Sequence, residues 1–471
     1  MRASMDMTAL AAVAMVHSAL PEPRNVVDRW QSPDTKARKI VTWSRLLLPS
    51  IRFGSFLALA LVFQTTAIFA QDARAWTRLV IDKLCPAGAL SGLEAQATLP
   101  GSWLLSEEHR PNDTAPALSR LRLALPDTSE ISLERRARGG QLWQFRTAFF
   151  SQDGTALRPD LQAITDGTCT IQSARSGRYG EAGHIWLDQL DGDLTRLRWT
   201  ETLQAPWPDG TDPGGVRVAL VDSGLAYDLP LFRDRLARDS TGRPLGYDFW
   251  DLDPWPYDGD TSRGAFFPIR HGTTVASILA QEAPDAALIP YRYPRPDMSR
   301  LGELVARAEA AGARILAMPL GSTEPDDWIA FADALKRHDI LAIVSAGNDG
   351  RDISERPIFP AALDLENIIT VTSADAFGRL AEGSNWSRQH VDIMLPAENL
   401  DVVDFRGAKG VASGSSYAVP RLAALAAREL ARDPRLSTSE LKARLLDRAV
   451  PSPFETERRV AVGWIADPLA D

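Results

Sequence analysis

The sequence predicts an α/β fold: a mainly parallel β-sheet flanked by helices on both faces, preceded by a smaller N-terminal α+β region. Three observations carry that prediction. From residue 216 onward, short and nearly continuous apolar runs alternate with stretches of helical spacing, as expected of strands buried on both faces. Residues 206–215 gather Pro, Gly and Asp into a boundary. Asp222 and Asn348 each follow an apolar run, and open parallel sheets place their ligand sites at the carboxyl ends of strands.

Residues 1–70 stand apart. They carry eight Lys/Arg against four Asp/Glu, while the whole chain has a net charge of −9. Residues 53–70 are an uncharged, mostly apolar run of 18, with Lys36, Arg38, Lys39, Arg45 and Arg52 ahead of it and Gln71-Asp72 behind. That order reads as an export signal cut after Ala70, giving a secreted or periplasmic product. Ile68 departs from the small residue such a cut prefers, and residues 1–35 make an unusually long leader or mark a start codon placed too far upstream. The alternative is a membrane anchor through 53–70, for which Gln64, Thr65 and Thr66 leave the run poor and short.

Residues 71–205 form a second region, with strand-like runs at 142–150 and 194–200 and polar breaks such as Arg110-Pro111-Asn112-Asp113. The pattern supports a small α+β unit. Cys85 and Cys169, the two cysteines of the chain, both fall in it. An even count behind an export signal permits one disulfide. Two independent buried thiols are the alternative. Neither cysteine belongs to a Cys/His array, so no structural metal is expected.

Beyond the boundary, strands are expected at 216–221, 287–291, 315–319, 341–345 and 368–373, and helices at 275–282, 301–311 and 328–338. A helix with an apolar face spans 420–432, and Ser437-Thr438-Ser439-Glu440 is a capping box opening the last one. No repeat of solenoid or propeller period occurs. With 45% hydrophobic and 24% charged residues the composition is that of a globular protein. No basic stripe with interleaved aromatics is present, so nucleic acid is not an expected partner.

Four Gly-flanked segments carry the chemistry. Val218-Ala219-Leu220-Val221-Asp222-Ser223-Gly224 ends a buried strand in a carboxylate. His271-Gly272-Thr273 opens an apolar helix with an imidazole. Ser413-Gly414-Ser415-Ser416-Tyr417-Ala418-Val419-Pro420 sets a hydroxyl just before a helix, whose free N–H groups and positive dipole end favour an oxyanion. Ser345-Ala346-Gly347-Asn348-Asp349-Gly350 offers a side-chain amide. Singly, each has a plain reading as a turn, a cap or a structural histidine. Together they supply the nucleophile, base, orienting carboxylate and oxyanion donor of acyl transfer. The remaining histidines, His17, His109, His184, His338 and His390, lack any such setting.

Residues 216–471 resemble the catalytic domain of the subtilisin-like serine peptidases, whose chain order is also Asp, His, Ser. The resemblance extends to Gly246-Tyr247-Asp248-Phe249, Phe359-Pro360-Ala361, Ser384-Asn385-Trp386-Ser387 and Val391-Asp392-Ile393-Met394-Leu395-Pro396-Ala397-Glu398. It implies an exported serine endopeptidase: Ser416 as nucleophile, His271 as general base, Asp222 orienting it, Asn348 at the oxyanion, and an acyl-enzyme intermediate. Met318-Pro319-Leu320-Gly321 stands where the family pairs with extended substrate, making Leu320 and Gly321 substrate-binding candidates. Ile358 falls where the first specificity pocket has its floor, implying small or medium side chains there. A peptide-binding pseudoprotease and a serine esterase on the same scaffold are the rival readings.

The departures from the family are Ser415, Tyr417, Arg270 in place of Gly, and Pro319, which removes a backbone donor. Asp251, Asp253, Asp258 and Asp260 are read as a solvated acidic loop. Calcium, frequent in the family, is possible there, but the spacing fits no fixed calcium loop and no cofactor is required. The expected partner is a polypeptide substrate, with the protein a monomer. Residues 71–205 lie where the family carries an inhibitory propeptide, so the region is a propeptide or a retained accessory domain. A cut near 195–215 is expected.

Overall fold

The computed structural model describes residues 72–110, 117–153, 156–454 and 458–470. The leader, with its run at 53–70, lies outside the described residues. Among the described residues no helix is long and apolar enough to cross a membrane.

The N-terminal region opens with two helices. α1 (Ala73–Leu84) starts at Asp72, whose carboxylate accepts from the Arg74 N–H, and α2 (Gly92–Thr98) is capped by the Ser91 hydroxyl. Eight strands follow: β1 (Trp103–Arg110), β2 (Leu118–Ala124), β3 (Glu130–Arg138), β4 (Gln141–Asp153), β5 (Ala156–Thr165), β6 (Ile171–Tyr179), β7 (Ile185–Leu190) and β8 (Leu197–Gln204). Each pairs antiparallel with the next, giving a meander in chain order. Strand alternation sends Leu121, Leu123, Ile131, Leu133, Phe145 and Phe149 to one face, where they pack with Trp76, Val80, Ile81 and Leu84 of α1. The expected α+β character is present, and the run at 142–150 lies inside β4. The run at 194–200 begins three residues before its strand. Leu194 takes φ +60° in a turn whose N–H groups at 193, 195 and 196 are gathered by the Asp191 carboxylate. Cys85 and Cys169 form the disulfide, with Cα atoms 5.8 Å apart, tying the end of α1 to the turn between β5 and β6.

The second region holds β9 (Arg217–Asp222), β10 (Tyr247–Asp248), α3 (Gly272–Glu282), β11 (Ala287–Arg292), α4 (Leu301–Ala310), β12 (Ile315–Met318), α5 (Ile329–Leu335), β13 (Leu341–Ser345), β14 (Ile368–Ala374) and β15 (Ile393–Pro396). A hairpin of β16 (Leu400–Val403) and β17 (Lys409–Ala412) follows, then α6 (Ser415–Arg432), α7 (Thr438–Asp447) and β18 (Gly463–Trp464). The sheet runs β10-β11-β9-β12-β13-β14-β15-β18, and its neighbouring strands are parallel. Successive residues of β9 face opposite layers: Val218 and Leu220 belong to the buried cluster that holds Leu279 of α3 and Leu422 of α6, whereas Ala219 and Val221 belong to the one that holds Leu304 of α4 and Phe331 of α5. Burial on both faces is why these strands read as unbroken apolar runs.

The expected strands and helices occur with ends shifted by a few residues. The largest shift is at α6, which begins at Ser415 rather than 420. Gly414 at φ +126° turns the chain sharply ahead of it, and Pro420 lies inside the helix, removing the bond to the Ser416 carbonyl without ending it. The capping box of α7 is formed by Ser437 and Glu440 as expected. From β9 the chain goes to β10 and β11 on one side and then returns to β12 on the other, and such a reversal leaves a crevice at the carboxyl end of β9, where Asp222 lies.

The disulfide closes a loop with a sequence separation of 84 residues. In the chain-entropy account such a loop contributes up to about 4–5 kcal/mol. Replacing both Cys85 and Cys169 by Ser is expected to lower the melting temperature of the N-terminal region, and reduction of the wild type should do the same. Calorimetry with and without a reductant checks this.

Candidate active site

Asp222, the last residue of β9, is 4% exposed. Its carboxylate takes the Ser223 N–H at 2.6 Å and faces Nδ1 of His271 at 2.8 and 2.9 Å from its two oxygens. A carboxylate can only accept here, so Nδ1 carries the proton and the lone pair of the neutral ring resides on Nε2. The approach demands glycine. A Cβ on Gly272 would sit 2.0 Å from the Gly224 carbonyl and 3.1 Å from Cβ of Asp222, and Gly224 itself adopts φ +108°.

The backbone of His271 is held independently of its ring. Ser223 Oγ accepts from the N–H groups of His271 and Gly272 at 3.1 and 2.9 Å and donates to Asp258 at 2.6 Å. The other Asp258 oxygen accepts from Thr273 N–H at 3.0 Å. The free N–H groups opening α3 are thus satisfied by a buried acid and a hydroxyl. Asp258 is 0% exposed, which corrects its assignment to a solvated loop. Its neighbours have separate partners: Asp251 pairs with Arg292, Asp253 accepts from Trp255 N–H, and Asp260 accepts from the Tyr293 hydroxyl. Burial pushes Asp253 up to about 7. Among the described residues no group of three or more His, Cys, Asp or Glu is placed to hold a metal.

Ser416 lies in the first turn of α6. Its Oγ faces the Pro319 carbonyl at 3.5 Å, and among the described residues no hydrogen bond joins it to His271. The ring of the adjacent Tyr417 lies 5.9 Å from that of His271, and its hydroxyl is 3.4 Å from Thr274 Oγ1. Asn348 follows β13. Its Oδ1 accepts from the backbone N–H and the hydroxyl of Ser415, both at 2.9 Å. A backbone N–H can only donate, so the amide is oriented with Oδ1 inward and Nδ2 free to donate elsewhere. Ser415 is in turn bonded to Ser345 at 2.7 Å. The Ser415 hydroxyl therefore has a positioning role.

The loop that presents Asn348 is braced by Asn385, which is fully buried. Asn385 accepts from the N–H groups of Asp349 and Arg351 and donates to the Ala346 carbonyl at 2.9, 3.2 and 2.9 Å. The sequence assigns no role in the site to Asn385 or Ser223, and it reads Asp258 as part of a solvated loop. Asn385 does lie in the Ser384–Ser387 segment, and Ser223 next to Asp222, so a partial signal existed.

Asp222, His271, Pro319, Leu320 and Gly321 line one cleft of about 380 Å³. The Ser322–Phe359 backbone pairing brings Ile358 against Gly321, where a Cβ would meet Ile358 Cγ2 at 3.1 Å. All the candidate residues thus gather at one end of the sheet. The other described histidines have partners of their own: His109 bonds Glu107 and Ser119, His338 bonds Glu309, His184 stacks on Trp186, and the His390 N–H donates to Ser387 Oγ.

Residues 214–464 match the model of the Subtilase family. The chain is 32% identical over 157 residues to the minor extracellular protease Vpr of Bacillus subtilis (strain 168), a match covering 31% of this chain and 19% of that protein, so the aligned part is about a fifth of Vpr. It is 29% identical over 281 residues to an intracellular serine protease of Paenibacillus polymyxa, covering 54% of this chain and 80% of that one. A solved cold adapted subtilisin-like serine proteinase is similar at 22% identity and a TM-score of 0.45, covering 55% of this chain and 91% of that one.

Desolvation of the His271 ring lowers its pKa, but the charge and hydrogen bond of Asp222, with a further contribution from the Asp258 carboxylate, outweigh it and hold the ring above its ordinary 6.5. The protonated ring therefore favours the fold at pH below the unfolded value, and that contribution disappears as pH rises through the folded pKa. An NMR titration should place His271 above 6.5, and Asp222→Asn should move it downward. An unchanged midpoint in the variant would contradict the assigned cause.

Proposed function

The chain belongs to the subtilase family, and from that premise we propose that it is an exported serine endopeptidase cutting polypeptides through an acyl-enzyme intermediate. The single observation that carries the reading is the buried Asp222 carboxylate on Nδ1 of His271 at 2.8 Å. It selects the tautomer whose Nε2 can take a proton and steadies the imidazolium that results. Ser416 Oγ, after rotation about χ1, attacks the scissile carbonyl as Nε2 of His271 accepts its proton. The oxyanion is held by Nδ2 of Asn348 and the N–H of Ser416. His271 returns the proton to the leaving amine, and a water activated by the same base releases the acyl group. Substrate runs along 318–321, where Pro319 presents a carbonyl but no N–H.

Export is supported by the apolar run at 53–70 with its basic approach, and by the Cys85–Cys169 disulfide, which suits an oxidising compartment. Ile358, 8% exposed against Gly321, supports a shallow first specificity pocket. A non-cleaving, peptide-binding reading draws on one observation, the Ser416 hydroxyl facing Pro319 instead of His271.

A fluorophosphonate probe is expected to label wild-type protein at Ser416 and to leave Ser416→Ala unlabelled. Absence of labelling in the mature wild type favours the binding protein, and labelling without cleavage of a peptide library favours an esterase. Asn348→Ala should lower kcat by ~10²–10³ with KM little changed, the scale of losing one side-chain oxyanion donor in subtilisin. Ile358→Gly should raise kcat/KM for peptides with a large aromatic residue before the cut relative to alanine, as measured with paired chromogenic peptides.

A further inference from the structure

Residues 72–205 are docked on the catalytic region, and the seam lies beside His271. Phe266, 1% exposed, packs with Ala148 of β4 and Leu187 of β7. Arg175 of β6 donates to the Phe266 carbonyl at 2.8 Å, and its guanidinium lies over Phe267 and Trp199 at 4.4 and 4.9 Å. At the centre is Glu201 of β8, with a side chain 4% exposed. It meets Arg270 at 2.9 Å, Arg175 at 3.4 Å and Arg406 at 3.9 Å.

Arg270 is the residue immediately before His271. Its guanidinium is 7% exposed, and both of its hydrogen bonds run from Nη2 to β8: one to Glu201 at 2.9 Å and one to the Thr202 carbonyl at 3.0 Å. Its Nε and Nη1 have no hydrogen-bond partner among the described residues. Within the catalytic region the guanidinium lies over the Phe405 ring at 4.6 Å, so its hydrogen-bonding and its counter-charge come from β8. The cleft itself, by contrast, is lined by no residue of 72–205 among the described residues, and β8 pairs with β7 rather than with the 318–321 edge. The linker then runs to Gly215, packed against Asp285 at the opposite end of β9, roughly 20 Å from Asp222 at 3.3 Å per strand residue.

We propose that the N-terminal meander is a retained positioning module of the peptidase, and that Glu201 is a positioning residue acting on His271 through the Arg270 side chain. The proposal rests on the peptidase reading above and replaces the expected cut at 195–215. It accounts for both hydrogen bonds of the Arg270 guanidinium ending on β8. Excision after residue 204 would remove both hydrogen-bond acceptors of the Arg270 guanidinium, one peptide unit from the imidazole.

The test uses the full chain. Glu201→Gln and Arg270→Gln should each lower kcat on a chromogenic peptide about tenfold, the scale of a sub-ångström displacement of a catalytic group, with KM within twofold. The double variant should be no slower than either single one, because the two residues act as one unit. Multiplied losses, or singles with wild-type kcat, overturn the positioning role. Independently of any variant, intact mass of the fluorophosphonate-labelled wild type should give an N-terminus ahead of residue 85 and a single chain. An active species beginning after residue 205 overturns retention, even if a variant fails to fold. Failure of the probe to label Ser416 would instead remove the peptidase reading, while the mass still reports retention.

Discussion

A carboxylate at the end of a buried strand has to be neutralised or abundantly hydrogen-bonded, because leaving it alone in a low-dielectric setting is costly. Asp222 is 4% exposed and meets that requirement with a backbone N–H and the Nδ1–H of His271. The constraint propagates outward. The imidazole can reach the acid only if α3 begins against β9, which requires no side chain on Gly272 and a positive φ at Gly224. The helix start so created needs acceptors for its own N–H groups, supplied by Ser223 and the fully buried Asp258. One buried pair thus dictates the local backbone, the choice of glycines and a second buried acid.

Glu201 repeats the logic at the seam between the two regions, with arginines in place of the imidazole. The two carboxylates flank the same peptide unit: Asp222 holds the side chain of His271, and Glu201 the side chain of Arg270. Interactions of this kind are weak evidence for net stability, since desolvation offsets the Coulombic gain, but breaking one partner is strongly destabilising. Their consequence is geometric, restricting where the 270–271 backbone can lie. The oxyanion side is built differently, chiefly from amides and hydroxyls. Asn385 braces the loop through its amide, which also donates to the Asp349 carboxylate, and the Ser415 N–H and hydroxyl orient the Asn348 amide.

Much of the catalytic region was legible in the sequence. Its strands are buried on both faces and read as unbroken apolar runs, and Asp222, His271, Asn348 and Ser416 sit in glycine-rich segments that an ordinary core does not need. The meander was less visible because its strands carry charge. Glu134, Arg135, Arg146 and Arg175 lie within β3, β4 and β6 and interrupt the alternation that marks a half-buried strand. Asp258 was hidden by its neighbours: an acid among acids resembles a solvated loop until the fold buries it under Ser223 and Thr273. Long-range partners such as Glu201 and Arg270, 69 residues apart, leave no local periodicity to read.

The most direct measurement of the central claim is a crystal structure of the protein inactivated with a peptide boronate. The account predicts a tetrahedral adduct on Ser416 Oγ, one boronate oxygen accepting from Nδ2 of Asn348, and Nε2 of His271 within hydrogen-bond distance of the adduct while Nδ1 stays on Asp222. An adduct on another residue, or an occupied Ser416 with the His271 ring still remote from it, would contradict it.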